Sequence, residues 1–137
     1  MDDEQKWILD WFNEVWVKAD ARQLKILAAD PFQFHLPGGK TYTLSHSEYR
    51  NFLSIWSQRF RSVEFEVGEI IQSGEKTVVL YRCHATYCGG WARIPNKQQK
   101  VLITGMLYFK RQNGVITDCW MEDSSFDLYQ QLTHYLD

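Results

Sequence analysis

The hydrophobic spacing along this chain shifts near residue 63 from a mainly helical period to a period of two, which predicts helices with one short strand first and long strands afterwards. Before it, Trp7, Ile8, Trp11, Phe12, Val15, Trp16 and Ala19 recur at three- and four-residue steps, the stripe of an amphipathic helix. Asp2, Asp3 and Glu4 stand at its start, where negative charge favours the helix dipole. Asp20 is placed to cap a second, shorter helix carrying Leu24, Leu27 and Ala28, with Gln23 in the reciprocal capping position. Asp30-Pro31 closes that helix, because the residue before proline is pushed out of the α region. Phe32 to Leu36 then alternates as a short strand ended by Pro37-Gly38-Gly39. Ser45 and Glu48 form a capping box ahead of a third helix, with Tyr49, Phe52, Leu53, Trp56 and Phe60 on one face.

Beyond residue 63 the period is two. Val63, Phe65 and Val67 alternate with Glu64 and Glu66, a strand with one wet face. A turn at Ser73-Gly74-Glu75-Lys76 leads into a strand from Thr77 to about Tyr87. The loop Cys88 to Asn96 follows, and then a strand from Lys100 to Arg111. Asn113-Gly114 between two β runs demands a type I′ hairpin, so Val115 to Asp123 runs antiparallel to the strand before it. A last helix presents Phe126, Tyr129 and Leu132, with Tyr135 extending the face. This order predicts one α+β domain over residues 1–137, with N-terminal helices inside a curved antiparallel sheet. Such a cone leaves an internal pocket for a ligand.

Aromatic residues make up 15% of the chain, more than so small a core needs, so some rings are expected to line a cavity or cover an interface. A net charge of −2 argues against nucleic acid, which needs a concentrated basic surface. No stretch is long and apolar enough to span a membrane, and the acidic start is unlike a secretory signal. Cys83, Cys88 and Cys119 have no paired spacing and read as free thiols in a reducing cytoplasm. His35, His46, His84 and His134 show no paired metal-ligand spacing. Gly89-Gly90 lacks the following helix and basic residue of a phosphate-binding loop. Neither a metal nor a cofactor is expected.

Several motifs stand in a familiar order. They are Asp30-Pro31-Phe32-Gln33-Phe34-His35, the loop Cys88-Gly89-Gly90-Trp91-Ala92-Arg93-Ile94-Pro95, the strand Val101 to Gly105, and Asn113-Gly114-Val115-Ile116. Asp118 with Trp120, and the ending Gln130-Gln131-Leu132, complete the set. Together they resemble the SnoaL-like branch of the nuclear transport factor 2-like (cystatin-like cone) superfamily. That superfamily holds polyketide cyclases, ketosteroid isomerases, dehydratases, epoxide hydrolases and binding proteins, so the resemblance implies a fold before a reaction. SnoaL-like cyclases use an aspartate on the last strand, assisted by a histidine on the strand before it. The matching positions here are Met121 and Leu107, and the glycine-loop histidine falls at Tyr87. None of these abstracts a proton near neutral pH. A shift of two residues brings Asp123 onto the catalytic face instead.

His35, in an otherwise apolar strand, is the expected polar pocket group. Cys119, Met121 and Asp123 share one face of their strand, whereas Asp118, Trp120 and Glu122 share the other. If the first set lines the cavity, Asp123 sits near its mouth; otherwise it is a strand-end carboxylate capping the next helix. Trp16, Trp56, Phe60, Tyr87, Trp91 and Met106 complete the candidate lining, together with Leu107. The favoured reading is a small-molecule binding domain for a hydrophobic ligand. The alternative is a cofactor-free acid/base enzyme on a hydrophobic carbonyl or cyclic substrate, with His35 and Asp123 catalytic and Tyr87 assisting. The family resemblance, and an outer sheet face carrying Ile116 and Trp120, predict a homodimer.

Overall fold

A computed structural model describes residues 5–134, so Asp2, Asp3, Glu4 and Tyr135 lie outside the described residues. The first helical stripe forms in two parts. α1 (Lys6–Asp10) runs directly into a π-helical segment (Trp11–Val17), where Lys18 N–H reaches back five residues to Asn13 O at 3.2 Å. The wider π turn gathers Trp11, Phe12, Val15 and Trp16 onto one buried face. Ala19 does not continue the stripe; it is exposed at φ 54°, in the left-handed region, and ends the helix.

Asp20 caps α2 (Ala21–Leu27) by accepting from Arg22 N at 2.8 Å and Gln23 N at 3.4 Å. The reciprocal half of that cap is not made by Gln23, because Asp20 N–H donates to Glu14 O at 2.8 Å. Nor does Asp30-Pro31 end α2. The helix stops at Leu27, and Ala28 opens β1 (Ala28–Leu36) by pairing with Ile116. Strand pairing overrides the local helical pattern here. Pro31, which has no N–H to give a ladder, sits where the β1 register shifts between Ala28 and Gln33.

β2 (Lys40–Leu44), unforeseen in the sequence, is an edge strand exposed on both faces, with no apolar periodicity. The capping box of Ser45 and Glu48 forms as read, and α3 (His46–Arg59) follows it. Phe60 belongs to the next strand rather than to α3, although its ring stays 5.2 Å from Trp56. β3 (Phe60–Ser73), β4 (Lys76–Tyr87), β5 (Lys100–Gln112) and β6 (Val115–Asp123) form successive antiparallel hairpin pairs. Asn113 (φ 53°) and Gly114 (φ 79°) make the tight turn the dipeptide demanded.

The six strands lie in the order β2-β1-β6-β5-β4-β3. The domain is α+β with a curved, unclosed sheet, and one pairing departs from the antiparallel expectation: β1 runs parallel to β6. The inner face takes α1, the π segment and α3. Trp11, fully buried, stacks on Tyr49 at 5.5 Å and meets Phe32 and Phe109 edge-on at 6.3 and 5.7 Å. Ile116 is buried in this core rather than on the outer face, because the ladder slips between Lys110 and Arg111 and reverses the alternation.

α4 (Ser125–His134) closes the end of the cone through Leu128 and Leu132, while Phe126 and Tyr129 face solvent at 73% and 55% exposure. Gln131 fastens it by donating to Leu102 O at 2.7 Å and accepting from Leu102 N at 2.9 Å.

Ser45→Ala should lower stability by about 1 kcal/mol through loss of the α3 cap. Urea unfolding with an unchanged slope is the check.

Candidate functional site

Three strands supply the site. Tyr81 on β4 pairs with Gly105 on β5, which pairs with Asp123 on β6; one step away, Leu107 pairs with Met121. All of these point to the inner face, where the helices contribute Phe12, Trp16 and Trp56. The enclosed space is small, about 30 Å³, which is room for a group the size of one water. The reason is ring packing. Phe12 lies 4.8 Å from Phe65 and 5.4 Å from Tyr81, and Trp16 lies 5.4 Å from Trp56. The aromatic surplus fills the cone more than it lines a void.

Of the residues expected around a ligand, Trp16, Trp56, Leu107, Met121 and Asp123 border this cavity. Asp123 does so while its carboxylate also accepts a hydrogen bond from the Ser125 side-chain hydroxyl at the start of α4. Cys119 is fully buried on the same side of β6, paired with Phe34 beneath the cavity wall.

His35 is elsewhere. It projects from the outer face, stacked on Trp120 at 3.9 Å and 6°, with Nδ1 2.9 Å from Thr41 Oγ1 and Nε2 3.4 Å from Asp118 Oδ2. His35 and Asp123 therefore stand on opposite sides of the sheet. The parallel register explains this: His35 pairs with Trp120, so both share the face away from Cys119 and Met121. Met106 also lies on the outer face, 51% exposed.

Phe60, Tyr87 and Trp91 form a separate cluster that holds the glycine loop. Tyr87 stacks on Trp91 at 5.7 Å, donates to Ile94 O at 2.9 Å and accepts from Trp91 N at 3.1 Å. Arg59 lies over the Trp91 ring at 4.8 Å, and Gly90 leaves the space its stem needs. Both hydrogen-bonding roles of the Tyr87 hydroxyl are thus taken by the loop backbone.

Sequence reasoning overlooked Tyr81, and a signal for it was present. A glycine inside a long strand marks a close approach by another group. Here a Cβ on Gly105 would lie 2.7 Å from the Tyr81 hydroxyl and against the Glu122 carbonyl. Burial, and then the Asp123 charge, push the Tyr81 phenol well above its ordinary range. Burial pushes the Cys83 thiol up to about 12, and burial followed by the Asp118 charge raises Cys119, so neither offers a thiolate nucleophile. Among the described residues, no three His, Cys, Asp or Glu side chains converge as a metal site. No helix among them is long and apolar enough to cross a membrane.

The family model of the SnoaL-like polyketide cyclases matches residues 6–132. The chain belongs to that family. No curated protein matches it. Among solved structures it is similar to a candidate polyketide cyclase from Acidithiobacillus ferrooxidans (TM-score 0.84, 17% identity, covering 97% of this chain and 96% of that one). It is also similar to IdmH, a candidate polyketide cyclase from Streptomyces antibioticus (0.82, 17%, 96% and 99%). The likeness extends to an LEH-like epoxide hydrolase from M. tuberculosis, which matches at 0.70, with 13% identity over 97% and 91%. At these identities the likeness is one of fold.

Trp56 borders both the enclosed cavity and a groove of about 190 Å³ that runs along Val17, Phe60 and Val63. Trp56→Ala should join the two spaces and destabilise the domain by about 2–4 kcal/mol. Stronger fluorescence of anilinonaphthalene sulfonate at a temperature where the variant remains folded would report the opening.

Proposed function

We propose that this domain binds a small, mostly apolar carbonyl compound inside the cone and moves a proton on it with Asp123 as the base. The carrying observation is that Asp123 is the one carboxylate among residues bordering an otherwise apolar and aromatic cavity. A carboxylate so placed suits abstraction of a proton next to a carbonyl, and proton transfer of this kind uses side chains alone. The fold supports the same class, since SnoaL-like cyclases work from their last strand and Asp123 ends β6.

His35 has no part in this reading, because its ring is stacked on the outer face. The small free volume bears on substrate access. A ligand larger than a few atoms enters only if Trp56, the half-buried partner of Trp16, swings aside. Asp123→Asn should reduce exchange of ketone α-protons into deuterated water by at least about 100-fold, as loss of a general base does. Exchange by the variant at the wild-type rate would overturn the assignment.

A homodimer through the outer face belongs to the same proposal. Paired positions there form an apolar band: Val78 with Tyr108, Tyr108 with Trp120, and Leu80 with Met106. Its flanks carry both charge signs, with Lys110 opposite Asp118 and Glu66 opposite Arg82, which suits a self-complementary two-fold contact. Sedimentation at micromolar concentration should give a dimer, and Trp120→Glu a monomer. A strictly monomeric wild type would sink this part.

A further inference from the structure

We infer that Tyr81 is the hydrogen-bond donor that receives the ligand's carbonyl oxygen inside the cone, opposite Asp123. The inference rests on the reading of Asp123 as the base and adds the group that recognises the acceptor.

The placement comes from one row across the sheet: Tyr81, Gly105 and Asp123 are paired in register on β4, β5 and β6. The middle position has no side chain, and the Tyr81 hydroxyl occupies the ground where a Gly105 Cβ would stand, 2.7 Å away. The ring therefore reaches across the glycine toward Asp123. Any larger residue at 105 would close that path.

Tyr81 is only 4% exposed, and among the described residues no atom hydrogen-bonds its hydroxyl. Buried hydroxyls are nearly always paired, because leaving one unmade forfeits its solvation. Among the residues bordering the cavity Tyr81 carries the one hydroxyl, as Asp123 carries the one carboxylate. Other buried aromatic polar atoms without a partner, such as the Tyr49 hydroxyl and the Trp7 and Trp11 indoles, do not border it. Trp16 borders the cavity too, and its buried indole N–H is also without a partner, but it lies on the helical wall rather than in the row that holds Asp123.

The phenol stays protonated because burial and the neighbouring Asp123 charge both oppose its ionisation. It donates at any ordinary pH and never competes with Asp123 as a base. When Asp123 takes a proton from the carbon beside the carbonyl, the C–H electron pair forms the C=C bond of an enolate. The carbonyl π pair moves to oxygen, and that oxygen accepts the Tyr81 hydrogen bond. Asp123 then returns the proton to carbon, so nothing else is consumed. The ligand class is a ketone or related carbonyl compound with an acidic α C–H and an apolar body.

The test compares cyclopentanone with methylenecyclopentane, an isostere lacking the acceptor, by NMR titration of the wild type, Tyr81→Phe and Asp123→Asn. The wild type should bind the ketone about tenfold more tightly, the worth of one buried hydrogen bond. Tyr81→Phe should lose that preference while its melting temperature holds or rises, since the change removes an unpaired buried hydroxyl. Asp123→Asn should keep the preference. A preference that survives Tyr81→Phe, or one absent from the wild type, overturns the inference. Exchange of ketone α-protons in deuterated water separates the two assignments. Preference without exchange upholds the Tyr81 donor and refutes the Asp123 base, whereas exchange without a Tyr81-dependent preference refutes the donor.

Discussion

The rest of the structure depends on the ring packing between the π segment and the inner face of the sheet. Trp11, Phe12, Val15 and Trp16 lie on one buried side of that segment. Trp11 is held by Tyr49, Phe32 and Phe109, so one side chain ties α3, β1 and β5 together. Phe12 reaches Phe65 and Tyr81, and Trp16 reaches Trp56. Edge-on and tilted aromatic contacts of this kind add to the burial of large apolar area. Whatever enters the cone must displace part of this plug.

That packing sets the chemistry the interior can support. With about 30 Å³ free, the interior admits a functional group rather than a molecule while the rings stay in place. The polar atoms on its wall then matter out of proportion to their number. Tyr81 and Asp123 face each other only because position 105 has no side chain, so a backbone property of β5 decides what two other strands do. The unpaired phenol is unfavourable for stability, a pattern found where a site is kept for a ligand rather than for packing.

Much of the fold was legible because its signals are local. The change of period near residue 63, the capping box of Ser45 and Glu48, and Asn113-Gly114 each act through neighbouring residues, and each produced the element it predicted. Errors arose where a distant strand intervened. The end of α2 moved to Leu27 because Ala28 pairs with Ile116, and Ile116 turned inward because the ladder slips beside it. β2 escaped notice since an edge strand wet on both faces carries no period. On the exposed side of α4, Phe126 and Tyr129 obeyed a helical spacing but met nothing to pack against.

The candidate site divides along the same line. By itself the sequence determined that Met121 and Asp123 share a face of β6, because strand alternation is a property of the backbone. Only the tertiary structure decided which face of the sheet looks inward. The parallel pairing of β1 with β6 turned His35 outward onto Trp120 and left Asp123 inside, and the register across Gly105 brought Tyr81 to it. Sheet register is a contact between segments far apart in the chain, and no local spacing encodes it.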